Sequence, residues 1–263
     1  AIVGKSSIEE YYCINLQKGH QNEIVFEAQK LGLFGTFKDV SFTLHRGEIL
    51  GIYGVIGSGK EELCSVLCGD LLPSSGEIRI NQKKAKYSNP SEALNKGIIM
   101  IPQERNYEGI IGILSVADNI AVSSYEQLGK YGFVSLRKLK NQAEKWIKNL
   151  RIRTQSSKTS VNSLSGGNAQ KVMFAKMLSS MSEIVILNHP TRGVDVGAKQ
   201  EIYQIIRQMT EEGKSIILVG DTLDECIGLS NRMLVMKDGL VTNEFDCPPD
   251  NKPDKLKIMQ HIM

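Results

Sequence analysis

The stretch with the plainest chemistry is Gly54-Val55-Ile56-Gly57-Ser58-Gly59-Lys60, a glycine-rich loop between an apolar run, Glu48 to Tyr53, and a helical segment from Ser58 to about Cys68. Glycines let successive backbone N–H groups turn toward one anion, the helix N-terminus that follows adds positive potential, and the lysine supplies a mobile point charge. Strand, G-x-x-x-x-G-K loop and helix together read as a phosphate cradle built from Gly54, Gly57, Ser58, Gly59 and Lys60. The next position, where a Ser or Thr hydroxyl would hold Mg²⁺, is Glu61, and Glu62 follows it. A second polar glycine turn, Ser163-Leu164-Ser165-Gly166-Gly167-Asn168-Ala169-Gln170, opens a helix with Val172, Phe174, Ala175 and Leu178 on its apolar positions, so its N-terminus is a second candidate anion site. Gln103 follows the apolar run Ile98 to Ile101, and the run Ile184 to Leu187 ends on Asn188, His189 and Pro190.

The elements that must position these residues read as α/β. Ile184 to Leu187 and Ile216 to Val219 are apolar without alternation, as expected for parallel strands covered on both faces, with a crossover helix at about 198–210 between them. Short alternating strands at 23–28 and 40–45, with Gly32 and Gly35 between them, make a β-rich entry before the loop. A turn at Pro73 to Gly76 leads to a strand at 77–80, and Asn89-Pro90 opens a helix that runs to Gly97. From about Ser115 to Ser180 helical periodicity takes over, clearest at 116–128 and 136–150. A hairpin is expected around Asp238-Gly239, joining 232–237 to 240–245. Residues 1–22 read as a linker or tail ahead of one domain at 23–263, and a loosely held helix is expected at 255–261.

With 263 residues and 41% hydrophobic content the chain supports a full-sized core. A net charge of +3 with no basic stripe gives no reason to expect nucleic acid as a partner. The longest apolar runs are far too short to span a membrane, and the start lacks an export signal. Five cysteines without C-x-x-C or histidine spacing fit a reducing cytoplasm, and Cys64 and Cys68, on one helix face, read as packing. His20, His45 and His261 have no partners at catalytic spacing, and Trp146 reads as packing on an amphipathic helix.

The Lys60 loop, Gln103, Leu164-Ser165-Gly166-Gly167, the strand ending near Pro190 and Asp195, in this order, resemble the ATP-binding cassette of ABC transporters, over nearly the whole chain. Pro102 to Gly109, Leu164 to Lys171 and Pro190 to Lys199 resemble the second cassette of two-cassette monosaccharide and nucleoside importer ATPases, and Ile2-Val3-Gly4-Lys5 resembles the end of a first cassette. The resemblance implies a P-loop NTPase (RecA-like) core sheet, an N-terminal antiparallel β subdomain and an α-helical signature subdomain at about 115–180. It implies ATP and Mg²⁺ as cofactors, a second cassette and transmembrane permease subunits as partners, a solute-binding protein acting indirectly, and a peripheral place on the cytoplasmic face of the membrane.

The same resemblance marks departures. Asn188 and His189 stand where the family has the Mg²⁺-holding acid and the water-polarising Glu, so Mg²⁺ binds more weakly, near Asn188 and Gln103, and hydrolysis is slow. Asp221 stands where the family has a γ-phosphate-sensing His. Glu61 either supplies the negative charge that Asn188 lacks, or repels the phosphates, or pairs with Lys60 and silences it, and of the last two the sequence favours repulsion. Gln103 falls at the residue that links γ-phosphate to the membrane subunit, Asp195 orders the dimer interface, and Phe34 or Phe37 stacks on adenine or serves the core. Ser165, Gly166 and Gly167 are intact and serve a partner's ATP. The function implied is division of labour in import of a sugar or related polar solute: a degenerate site of its own, a competent signature turn for its partner. A non-hydrolysing regulatory or scaffolding cassette is the alternative. A soluble DNA-repair or translation cassette would bring coiled-coil insertions or basic patches, and neither is in the sequence.

Overall fold

The computed structural model describes residues 10–130 and 133–262, and the Ile2-Val3-Gly4-Lys5 stretch lies outside the described residues. In chain order the elements are β1 (Ile24–Leu33), β2 (Phe37–His45), β3 (Ile49–Gly54), α1 (Lys60–Leu67), β4 (Ser75–Ile80), β5 (Lys83–Ala85), α2 (Pro90–Asn95) and β6 (Ile98–Ile101). There follow α3 (Val116–Ala121), α4 (Tyr125–Leu128), β7 (Gly129–Lys130), β8 (Phe133–Val134), α5 (Leu136–Asn149) and α6 (Gly166–Ser179). The remainder is β9 (Ile184–Asn188), α7 (Val196–Glu211), β10 (Ser215–Val219), α8 (Leu223–Leu229), β11 (Arg232–Lys237), β12 (Leu240–Asp246) and α9 (Lys255–Met259). Two compact units emerge, one comprising Ala1–Met100, Glu183–His189 and Tyr203–Met263, the other Ile101–Ser182 and Pro190–Ile202.

The first unit holds a six-stranded sheet in the order β12-β11-β3-β10-β9-β6. β3 pairs in parallel with both β10 and β11, β10 pairs in parallel with β9, and β12 closes the edge antiparallel to β11. Every residue of β9 and β10 is buried, which is why these strands lack polar alternation. An antiparallel sheet, β2-β1-β4-β5, accompanies it, and its Val25, Phe26, Leu31 and Leu44 share one apolar core with Leu50 and Ile52 of β3 and Leu63 of α1.

Several elements differ from the sequence expectation for local reasons. Gly32 lies inside β1: a Cβ there would meet Ser75 Oγ at 2.5 Å, so the glycine answers to a close approach rather than to a turn. β5 carries Lys83 and Lys84 and no apolar alternation, the pattern of a charged edge strand. The expected helix at 116–128 is broken into two by a 3₁₀ turn at Val122–Ser124, where Ser124 Oγ bonds back to the Ala121 carbonyl at 3.0 Å. A small β7–β8 hairpin interrupts the region expected as wholly helical. The second unit extends beyond 115–180, because the segments 101–114 and 190–202 pack with its helices. The helix expected to be loose, α9, is held by Ile258, which is fully buried, with Ile262 one turn on.

Residues 10–22, expected as a linker, are packed over Cys13 and Ile14. The Arg207 guanidinium, 1% exposed, donates to the carbonyls of Cys13 (3.2 Å), Leu229 (2.7 Å) and Gly228 (2.8 Å). Arg207→Ala strips donors from three carbonyls and is expected to lower unfolding free energy by about 2–4 kcal/mol in urea titration. A change within ~0.5 kcal/mol would mean that these bonds do not hold the segment.

Candidate functional site

The end of β3, the glycine loop and the start of α1 form the cradle in the first unit. Gly54 has no room for a side chain, since a Cβ would lie 2.4 Å from the Met236 carbonyl oxygen and 2.5 Å from Ser58 Oγ. Gly57 and Gly59 take φ of +84° and +89°, which reverses the chain so that N–H groups face inward. Gly57 borders open space, and Ser58 is buried with its Oγ lacking a hydrogen-bond partner, so the loop keeps polar capacity to spare. Lys60 begins α1 and is 3% exposed.

The lysine is not free. Its Nζ lies 2.6 Å from Glu61 Oε1 and 3.4 Å from the Val55 carbonyl oxygen. His189 Nε2 contacts the same Glu61 oxygen at 3.3 Å, and His189 Nδ1 contacts Asp221 Oδ1 at 3.1 Å. Lys60, Glu61, His189 and Asp221 thus form one chain of alternating charge, drawn from the loop helix, the end of β9 and the end of β10. Glu61 pairs with Lys60, because a buried ammonium takes the nearest carboxylate as its counter-charge. Burial pushes the Glu61 carboxyl up, but the His189 and Lys60 bonds outweigh it and bring the pKa to about 2. Burial lowers the His189 pKa, and its bonds to Asp221 and Glu61 override this and raise it above the ordinary value. His189 sits at φ +51°, an uncommon backbone setting for a non-glycine residue that turns its ring between the two carboxylates.

The cradle fits phosphate: inward N–H groups, a lysine and an unpartnered hydroxyl. It does not fit Mg²⁺ as the side chains stand. The carboxylates of Glu61 and Asp221 are held by cations, and the oxygen left without a partner, Asn188 Oδ1, is buried and neutral. Both ring nitrogens of His189 are engaged, Nδ1 by Asp221 and Nε2 by Glu61. Glu62 stands beside Glu61 in the first turn of α1, where it complements the helix dipole. Phe37 is buried in the core and Phe34 is 94% exposed, which leaves Phe34 as the aromatic able to stack on a base.

Gln103, Ser165, Gly166, Gly167 and Asp195 belong to the second unit. Ser165 stands at the start of α6, where Asn168 Nδ2 donates to its Oγ at 2.9 Å. A Cβ on Gly167 would lie 2.8 Å from Ala198 Cβ in the first turn of α7, and one on Gly166 3.2 Å from the Gly193 carbonyl oxygen, so both glycines permit close packing of this turn on the start of α7 and the segment before it. Asp195 Oδ1 accepts from the Ala198 N–H at 2.9 Å, capping α7, and borders the same recess of about 260 Å³ as Ser165 and Gly167. Sequence reading missed the recess's charged walls, Arg153 and the Lys171–Glu201 ion pair, which lack any local motif. Gln103 follows β6 half-exposed, and two residues on Arg105 Nη1 donates to Gln170 Oε1 of α6 at 3.0 Å.

The family model described as ABC transporter covers residues 37–192, and the chain belongs to that family. It is 38% identical over 244 residues to an arabinose import ATP-binding protein, AraG 2, of Burkholderia cenocepacia, covering 92% of this chain and 47% of that one. It is 39% identical over 223 residues to a ribose import ATP-binding protein, RbsA 2, of Rubrobacter xylanophilus, covering 85% and 43%. A xylose import ATP-binding protein, XylG, of Thermoanaerobacter pseudethanolicus is 37% identical over 245 residues, covering 90% and 48%. The chain therefore spans about half the length of these curated relatives. Among solved structures, the ATP-binding cassette MJ1267 of an ABC transporter superposes with a TM-score of 0.74 at 20% identity over 91% of this chain and 99% of that one. The cassette MJ0796 bound to ADP and Pi gives 0.72 at 22%, over 84% and 98%. The fold is that of an ATP-binding cassette, with its antiparallel β sheet and mixed core sheet.

Because the folded pKa of His189 is raised, its pairing contributes stability that is complete below the unfolded value of about 6.5 and is lost as pH rises through the folded value. An NMR titration is expected to give His189 a pKa above about 6.5, falling in Asp221→Asn. Equal values in the two proteins would contradict the network.

Proposed function

We propose that the chain is the second cassette of a two-cassette importer ATPase, coupling ATP binding and hydrolysis to uptake of a sugar or related small polar solute. Its own ATP site turns over slowly, and Ser165, Gly166 and Gly167 complete the site of the partner cassette, with Asp195 ordering the interface. The named import proteins for arabinose, ribose and xylose support the solute class, and their length supports a second cassette in the same polypeptide, joined through residues 1–22. The observation that carries the division of labour is the Lys60–Glu61–His189–Asp221 chain of charges in a chain whose signature turn keeps its residues.

On this reading ATP must displace the Glu61 carboxylate from Lys60 before its phosphates gain the ammonium, so binding is weakened but not abolished. Mg²⁺ binds weakly, near Asn188. The partners are transmembrane permease subunits at the cytoplasmic face, and a solute-binding protein reaches this chain only through them. Among the described residues no helix is long and apolar enough to cross a membrane, which suits a peripheral subunit. The engagement of His189 by Glu61 and Asp221 also favours a second reading, a regulatory cassette that binds nucleotide without hydrolysing it.

Calorimetry of ATP with and without Mg²⁺, on the wild type and on Glu61→Ser, tests the proposal together with phosphate release. The wild type is expected to bind ATP with little release, and Glu61→Ser to bind at least about tenfold more tightly, gaining more from Mg²⁺. Brisk release by the wild-type chain alone would overturn the degenerate site. Release that stays absent when the partner cassette is added, and is unaffected by Ser165→Ala, favours the regulatory reading.

A further inference from the structure

Ser165 stands at the N-cap of α6, yet its side chain does not cap that helix. Elsewhere in the same unit Ser115 opens α3 and Ser135 opens α5. Each of those hydroxyl oxygens accepts from the backbone N–H three residues on, Asp118 at 3.1 Å and Lys138 at 3.4 Å. Three residues after Ser165 stands Asn168, and there the donor to Oγ is the side-chain amide, at 2.9 Å, in place of the backbone N–H. We infer, on the reading that this turn completes a partner's ATP site, that Asn168 is a positioning residue: it holds the Ser165 hydroxyl as a hydrogen-bond donor toward the phosphate of that nucleotide.

Chemistry fixes the direction of the amide. Asn168 Oδ1 accepts from the Arg153 backbone N–H at 2.7 Å, and that group can only donate, so the amide oxygen faces Arg153 and the nitrogen faces Ser165. The amide NH₂ also only donates. It therefore occupies a lone pair of Ser165 Oγ and turns the hydroxyl hydrogen away from itself. Among the described residues the Ser165 hydroxyl makes no other hydrogen bond.

The diverted cap also leaves the helix start rich in donors. The first helical bond of α6 runs from the Ala169 N–H to the Ser165 carbonyl at 2.9 Å, so the N–H groups of Gly166, Gly167 and Asn168 precede the ladder. A capping hydroxyl would have taken one of them. With Oγ engaged by the amide, one hydroxyl and three N–H groups remain as donors where Ser165, Gly167 and Asn168 line the recess. Of the acids bordering that recess, Asp195 caps α7 through the Ala198 N–H and Glu201 is paired with Lys171. Phosphate oxygens only accept, and a set of donors suits them.

The chain contains the opposite arrangement as well. The Ser115 hydroxyl donates to the Asp118 carboxylate at 2.5 Å. A carboxylate draws the serine hydrogen toward itself, where an amide NH₂ turns it away. Asn168→Asp therefore keeps the size of the side chain and the acceptor for the Arg153 N–H, while reversing the Ser165 hydroxyl.

Phosphate release from ATP with the partner cassette added tests the role in wild type, Ser165→Ala, Asn168→Asp and the double variant. Asn168→Asp is expected to lower kcat at least about tenfold, as Ser165→Ala does, because a bond to a charged group is lost. The double variant is expected to be no slower than the slower single variant, since both remove one donor. Asn168→Asp is expected to unfold at no lower temperature than wild type, because the Arg153 bond survives and a carboxylate suits a helix N-terminus. Losses that multiply in the double variant, as added negative charge near the phosphates or a merely structural clasp would give, overturn the role of Asn168. So does a wild-type rate in Asn168→Asp beside a slow Ser165→Ala, and both results leave the partner-site reading standing. A rate unchanged in Ser165→Ala overturns that reading and the role of Asn168 with it.

Discussion

A buried ammonium has to be compensated, and the fold arranges itself around that requirement at Lys60. The loop that turns its N–H groups inward draws the lysine out of water, where a bound phosphate would be its counter-charge. Glu61, one residue on, takes that role at 2.6 Å. Taking it puts the carboxylate within reach of His189, and His189 within reach of Asp221. Anion, cation and anion thus close a network around the lysine in which each charge is satisfied by the next.

The sheet supplies the coordinates of this network. β3, β10 and β9 lie side by side in parallel, so their carboxyl ends deliver the loop, Asp221 and His189 to one edge of the sheet. That is where α/β sheets bind ligands in general, outside the ends of parallel strands. The signature turn depends on a different constraint, the absence of side chains at Gly166 and Gly167, which lets the start of α6 pack closely on the start of α7 and the segment before it. The charge network at the loop and the close packing at the glycine turn thus rest on different residues.

What was legible in the sequence was contiguous. The glycine loop, the Ser165 turn and the unbroken apolar runs of β9 and β10 each carry their meaning within a few residues. What was not legible depends on distance along the chain. Glu61 and His189 are 128 residues apart and His189 and Asp221 are 32 apart, so these partners cannot be read locally. The same holds for the clasp of Arg207 on Cys13 and for Ile258 fixing α9, where burial is decided by segments remote in sequence. Phe34 and Phe37 separate only once β2 is seen to turn Phe37 inward. The Val122–Ser124 break shows the reverse case, a local serine preference overriding an apparently continuous helical period.

The central claim is that Glu61 holds Lys60. A double-mutant cycle on unfolding free energy with Lys60→Met and Glu61→Gln measures that contact directly. The account predicts a coupling of at least about 1 kcal/mol between the two positions, with Glu61→Gln alone destabilising because it leaves the ammonium without its anion. Additivity within about 0.3–0.5 kcal/mol, the behaviour of residues that do not interact, would contradict it.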